Sequence, residues 1–333
     1  MSDGGAHGPG VNGPGAHDHD EHRPAEPRRI AEGVLEIDTL LGGWQRVTAG
    51  YLLEGPRPVL VETGSQSSVP VLLDALASLG LGPSDLAGVV VTHIHLDHAG
   101  GVGDVARAFP EATVYVHELG ARHLADPTRL VDSASRVYGP LLDSLYGRLD
   151  PTPVERLHVL ADGEEIDLGA GRALVAVDSP GHAKHHLGLH DSTSGVLFAG
   201  DAVGVRLPDV GMLRPATPPP DFDLDKAIHS LQRFAARRPV GIALAHYGLL
   251  DDPAALLAEA EESLRQWAEV AERAWRAGED IAVALAERFS PEPGTVAPED
   301  LEKFEVMNGV HSNAAGFRRW LETREDPAAA GGH

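Results

Sequence analysis

Residues 93–98 read His-Ile-His-Leu-Asp-His and run into Ala99-Gly100-Gly101. Three imidazoles and one carboxylate within six positions are donors for a divalent ion. A donor set of imidazole and carboxylate without thiolate suits Zn²⁺, Mn²⁺ or Fe²⁺. In a tight loop His93 and His95 can point one way while Asp97 and His98 turn another, so one loop can feed two adjacent ions. Coincidental surface histidines would not come with the run Val-Val-Val-Thr before them and glycines after them. Three further donors stand in matching contexts. His182 follows Ala-Leu-Val-Ala-Val-Asp-Ser within Ser179-Pro180-Gly181-His182, where Pro-Gly makes a turn that aims the imidazole. Asp201 follows Gly-Val-Leu-Phe-Ala-Gly, and His246 follows Gly-Ile-Ala-Leu-Ala. All four placements are strand ends, and binding sites in α/β sheets gather at strand carboxyl ends.

The elements that must position these groups are legible as an alternation. Short β-rich runs are expected at 50–54, 58–62, 88–92, 113–116, 172–177, 195–199 and 240–245, with helical runs at 69–79, 102–109 and 225–237. Continuous apolar stretches such as Gly-Val-Val-Val-Thr suit strands covered on both faces, so residues 30–250 read as a layered α/β domain. After 250 the strands stop. Asp251 or Asp252 can cap a helix with Pro253 in its first turn, and Gly278 can end it. Leu257, Ala260, Leu264, Trp267, Ala271 and Trp275 form one apolar stripe on it. A second helix around 280–289 and a third from near Pro298 complete a helical region over 251–324, whose stripe must bury against something, the α/β domain being nearest. Residues 1–29, rich in Gly, Pro and His, and residues 325–333 are expected to be disordered tails. His17, His19 and His22 alternate with acids in the first tail and could chelate a metal loosely, though a solvated tail is the plainer reading.

Of the 333 residues 42% are hydrophobic, enough for a sizeable core, and length alone suggests about two folding units. Lys and Arg number 27 against 50 Asp and Glu, a formal charge of −23, which disfavours nucleic acid and anionic membranes as partners. There are no cysteines, which removes disulfides and thiolate chemistry. No apolar run approaches a membrane-spanning length and no signal-peptide core is visible, so a cytoplasmic location is expected.

In this order and at these separations, Thr-His-Ile-His-Leu-Asp-His-Ala-Gly-Gly, Ser-Pro-Gly-His-Ala, Phe-Ala-Gly-Asp-Ala and Ala-Leu-Ala-His-Tyr-Gly resemble the metallo-β-lactamase fold superfamily of metallohydrolases. The match is closest to its glyoxalase-II-like and lactonase-like members and covers about residues 30–250. The resemblance implies a four-layer αββα sandwich with a two-metal site, here followed by the C-terminal helical region. Carried over, His93, His95 and His182 would hold one ion and Asp97, His98 and His246 the other, with Asp201 bridging. Zinc is the first expectation for both ions, with manganese or iron compatible. Two departures stand out. Glu62-Thr63-Gly64 replaces the family's Asp-Thr-Gly, and the longer Glu62 could still hold a ligand histidine from behind. Lys184-His185-His186 follow His182 where the family often has a glycine; His185 or His186 could donate a proton to substrate, or either could be a strand residue pointing away.

Two such ions lower the pKa of a shared water towards about 7, giving a hydroxide nucleophile that Asp97 would orient or deprotonate. The expected reaction is metal-assisted hydrolysis of an ester-like bond in a small molecule: thioester, lactone, carboxylic ester or phosphodiester. A mononuclear iron oxidoreductase resembling persulfide dioxygenases is the alternative within enzymes, and a non-catalytic metal-binding scaffold is the alternative outside them. A homodimer is left open. Residues 204–220, rich in Gly and Pro, should leave from the rim of the site. They carry Arg206 and Arg214; Arg206 could capture an anionic or polar group of the substrate, or both could simply pair with surface acids. The C-terminal helices should bring Met307, Asn308, His311 or Asn313 to the same rim.

Overall fold

The structure is a computed structural model and describes residues 26–325. Thirteen strands make two sheets. The first runs β1 (Arg28–Ala31), β2 (Val34–Asp38), β3 (Ala49–Leu53), β4 (Val59–Val61), β5 (Gly88–Val90), β6 (Thr113–His117) and β7 (Leu157–Leu160), in chain order. Strands β1 to β4 pair antiparallel and β4 to β7 parallel. The switch to parallel pairing needs crossovers, supplied by α1 (Val69–Ser78) and by α2 (Leu96–Ala99) with α3 (Val102–Ala108). The second sheet has β8 (Glu165–Gly169), β9 (Arg172–Asp178), β10 (Leu187–Asp191), β11 (Val196–Gly200), β12 (Gly241–Leu244) and β13 (Gly248–Leu250) side by side. Only β11 and β12 pair in parallel there, across α6 (Leu224–Ala236).

Side-chain alternation shows how the layers stack. Ala49, Tyr51 and Leu53 of β3 meet Phe198 and Val196 of β11 in the core between the sheets, while Leu52 turns outward beneath α1. On β11 the intervening Leu197 and Ala199 face the opposite way, into a core shared with α6, α7 (Pro253–Ala277), α8 (Ile281–Phe289) and α10 (Val310–Glu325). Both sheets are therefore buried on both faces, which is the αββα sandwich. Asp252 caps α7 through Ala255 N–H, Gly278 closes it in a left-handed conformation, and Asp280 caps α8. The stripe Leu257, Ala260, Leu264, Trp267 and Ala271 lies in that core, so the C-terminal helices are the outer layer of the second sheet.

Several elements escape the periodicity. Strands β1, β2, β7, β8, β10 and β13, and the helices α4 (Glu118–Ala125) and α5 (Thr128–Tyr138), fall outside the runs expected from sequence, while the helix expected from near Pro298 is α9 (Pro298–Asn308), with α10 as a separate fourth. The tail boundary at 29 also moves: Arg28 and Arg29 belong to β1, where Arg28 grips the buried Glu36 at 2.9 Å and Arg29 pairs with Glu54 at 2.6 Å. The histidines at 17, 19 and 22 and the tail after 325 lie outside the described residues. No helix among the described residues is long and apolar enough to cross a membrane.

Candidate metal centre

β5 ends at Val90, and three residues later the chain delivers His93 to the end of the strand. His95 is the N-cap residue of α2, so Asp97 and His98 ride on the single turn that follows. His182 comes from the turn after β9. Gly181 there has φ +142°, and a Cβ on it would lie 2.3 Å from Ala227 Cα, so only glycine lets the turn seat on α6. Asp201 follows Gly200, which ends β11 at φ +50° under the ring of His186. His246 follows β12, the parallel neighbour of β11.

The seven side chains converge. His95 Nδ1 lies 3.0 Å from His93 Nε2 and 3.0 Å from His182 Nε2. Beside that trio, Asp97 Oδ2 is 3.7 Å from His98 Nε2 and 3.4 Å from His246 Nε2. Asp201 spans the two groups: Oδ2 is 3.6 Å from His182 Nε2, while Oδ1 is 3.4 Å from His98 Nε2 and 3.5 Å from His246 Nε2. Donor atoms of His93, His95 and His182, of His93, His98 and Asp201, and of Asp97, His98 and His246 each lie within 4.8 Å of one another.

Outer atoms fix the rings. His182 Nδ1 donates to Ala216 O at 3.0 Å and His246 Nδ1 to Val47 O at 2.9 Å, which leaves both Nε2 lone pairs facing inward. Thr92 Oγ1 lies 3.0 Å from His93 Nδ1. Behind His98, Glu62 Oε2 stands 3.6 Å from Nδ1 while its Oε1 accepts the Thr92 N–H at 3.2 Å. Burial pushes the His98 imidazole down, but Asp201, Asp97 and Glu62 outweigh it and raise it well above the ordinary range. Burial pulls Asp201 up, and His246, His98 and His182 overcome it and hold the carboxylate well below its usual range. Burial and the neighbouring His182 push His95 down to about 4. Two carboxylates held ionised beside His93, His95 and His182, whose protonated forms burial disfavours, are a cation receptor.

The remaining expected residues are placed less favourably. His186 is consumed structurally, with Nδ1 2.8 Å from Ser179 Oγ and Nε2 accepting the Asp201 N–H at 3.2 Å. His185 stands nearer the cluster, its ring 5.8 Å from that of His95, but its Nδ1 is turned to the Ile94 N–H at 3.5 Å. Arg206 corrects the sequence reading: its guanidinium pairs with Glu259 at 3.4 Å and lines a cavity of about 570 Å³ with Arg28, Arg46 and Tyr247, which none of the seven side chains lines. What Arg206 gives the centre is its backbone N–H, donated to His246 O at 2.6 Å. Asn308 is likewise not free for substrate, because its buried amide donates to Arg214 O and Pro215 O. His311 is exposed on the first turn of α10, where its electrostatic partner is Asp280, the cap of α8. Arg214 is fully buried, bound to Glu305 at 2.7 Å and lying over the Phe304 ring at 4.2 Å, and so is no surface cation. The carbonyls of Ala216 and Val47 carry no side-chain signal, which is why sequence reasoning could not find these partners of the ligand histidines.

The metallo-beta-lactamase superfamily model matches residues 42–246, more than half the chain. The chain belongs to the metallo-beta-lactamase superfamily. As a superfamily member it is a metal-dependent hydrolase, and its His/Asp cluster is a metal-binding one. Among curated relatives it is 27% identical to the uncharacterized protein YobT of Bacillus subtilis over 65% of this chain and 90% of that one. It is 32% identical to the acyl-coenzyme A thioesterase MBLAC2 of Gallus gallus over 46% of this chain and 56% of the relative, so it spans only about half of that protein. Among solved structures, the metallo-beta-lactamase superfamily protein ST1585 of Sulfolobus tokodaii superposes with a TM-score of 0.65 at 26% identity, over 86% of this chain and 98% of that one.

Proposed function

We propose that the protein is a binuclear metal-dependent hydrolase of ester-like bonds, with a thioester as the first substrate to test. The observation that carries this reading is Asp201, whose two oxygens face two different histidine groups 3.4–3.6 Å away. The donors fit a pair of cations. His98 Nδ1 and Nε2, Asp201 Oδ1 and Glu62 Oε2 are all buried without a hydrogen-bond partner, an arrangement that is costly unless a positive charge completes it. In this reading His93, His95 and His182 hold one ion, Asp97, His98 and His246 hold the other, and Asp201 serves both. Bound there, two divalent ions, zinc first among them, supply Lewis acidity that lowers the pKa of a coordinated water and polarises the scissile carbonyl.

The chain's own residues do the rest. Of the seven, His95 and Asp97 are the two that are not fully buried, so the reacting groups approach on their side. Asp97 orients the attacking water and takes its proton, and the carbonyls of Ala216 and Val47 keep His182 and His246 from turning. No cysteine exists to act as nucleophile. The thioester preference is supported by the likeness to MBLAC2, an acyl-coenzyme A thioesterase. The test is elemental analysis after saturation with zinc or manganese, followed by turnover of acyl thioesters, lactones and phosphodiesters. Two ions per chain and chelator-sensitive thioester hydrolysis are expected. A single iron with oxygen uptake on a persulfide would replace this reading with the mononuclear alternative.

A further inference from the structure

His186 is outside the set of seven, yet it lies where the strand ends that feed the set come together. β10 pairs antiparallel with β9 on one side and with β11 on the other, so its start lies beside the ends of both. His186 immediately precedes β10, which puts it between Ser179, at the end of β9, and Asp201, at the end of β11. The residue is fully buried. Both of its ring nitrogens are engaged, and in one way only. The Asp201 backbone N–H can only donate, so Nε2, 3.2 Å away, is the bare nitrogen and Nδ1 carries the proton. That proton goes to Ser179 Oγ at 2.8 Å, and the Ser179 N–H returns to His186 O at 3.0 Å.

The surroundings leave the ring no room to move. It stacks on the His93 ring at 5.1 Å and 30°, and meets the His182 ring nearly edge-on at 6.0 Å. A Cβ on Gly200 would lie 2.5 Å from both His186 Nε2 and Thr92 Oγ1, so the backbone entering Asp201 is threaded between those two groups. The Leu187 N–H donates to Thr92 O at 2.7 Å, which fastens the start of β10 to the end of β5 and so joins the two sheets beside the ligands. Asp201 then presents its carboxylate to His182 on one side and to His98 and His246 on the other. A shift of its backbone therefore disturbs both groups, whereas Glu62 stands behind His98.

We propose that His186 is a positioning residue for both ions at once: by accepting the Asp201 N–H on Nε2 it fixes where the shared carboxylate stands. The proposal rests on the binuclear reading and deepens it, because it gives the two metal positions a common support that is itself no ligand.

Two polar variants of different length separate the two bonds of the ring. His186→Gln reaches as far as Nε2 and still accepts the Asp201 N–H. His186→Asn stops near Nδ1 and serves only Ser179. Competition titration of zinc against a chromophoric chelator should find both affinities about 10–100-fold weaker in His186→Asn and close to wild type in His186→Gln. A role confined to packing would lower the unfolding midpoints of the two variants without separating their metal affinities. Affinities that fall for one ion only, for neither, or equally in the two variants overturn the proposal. A further readout needs no variant: the ¹⁵N resonances of His186 in the zinc-loaded wild-type protein should show a protonated Nδ1 and a bare Nε2, and a protonated Nε2 overturns the proposal. If the wild-type protein takes up a single ion, the two-ion reading falls, and the contrast between the two variants on that ion, with the ring's protonation pattern, still decides what His186 does.

Discussion

Replacing Glu62 by glutamine isolates what one carboxylate behind a ligand is worth. Its Oε1 accepts the Thr92 N–H at 3.2 Å, and its Oε2 faces His98 Nδ1 at 3.6 Å with no other partner. Glutamine keeps one acceptor and turns the other into a donor. Either the Thr92 N–H or the His98 Nδ1–H then faces a donor in a site that is closed to water. One buried donor left unsatisfied costs about 1–3 kcal/mol, which is about 5- to 150-fold in an equilibrium constant and brackets the 10–100-fold typical of such partners. The effect should fall on the ion bound by His98 and spare the one bound by His93, His95 and His182. A competition titration against a chromophoric chelator reads both affinities. One affinity weakened within that range, with the other and the unfolding midpoint near wild type, is the expected result. Two unchanged affinities would show that Glu62 does not orient His98, and the departure from the family's aspartate would then be mere tolerance.

Other perturbations test different links. Asp201→Ala removes a donor from both ions, so turnover should fall by more than 100-fold while circular dichroism stays native; wild-type rates with metal bound would refute the bridging role. Asn313→Ala should lower the unfolding free energy by about 2–4 kcal/mol, because the buried Asn313 amide accepts the Thr217 N–H at 2.7 Å and donates to Asn308 Oδ1 at 2.8 Å; a loss under about 1 kcal/mol in denaturant titrations would contradict it. Asp38 is raised to about 6, chiefly by burial. The folded state therefore holds its proton more tightly than the unfolded chain, and the stability this lends is full below about pH 4 and lost as pH rises through 6, by at most about 3 kcal/mol. Subtracting the pH 4 and pH 7 stabilities of Asp38→Asn from those of wild type should leave that falling difference, and no difference would refute it.

Much of this was readable because strand ends punctuate so strongly. His93, His182, Asp201 and His246 each follow an apolar run, and those runs are β5, β9, β11 and β12. Strands β2 and β10 were not readable for a physical reason. β2 carries Glu36 into the core, where Arg28 offsets it, so the hydrophobic alternation is broken by an ion pair that only the fold supplies. β10 includes a glycine against Phe234 and a histidine, and neither favours a strand on its own. Arg206 and Arg214 have the same side chain in the same segment. One emerges at the surface beside Glu259 of α7 and the other is walled in by Phe304 and Glu305 of α9, a difference that depends on where those two helices settle.

The family match stops at 246, yet α7, α8 and α10 cover the outer face of β11 and β12, and Gly316 of α10 is pressed against Thr217 O so closely that a Cβ would lie 1.7 Å from it. Thr217 adjoins Ala216, whose carbonyl holds His182. Detachment of the last helix and loosening of a metal ligand are thus one thermodynamic event seen from two ends. Whatever occupies the centre must tighten the docking of α10 by the same free energy with which that docking tightens it. Ion loading should then slow proteolysis at the C-terminal helices, and a chain cut at 250 should lose ions as well as its outer layer.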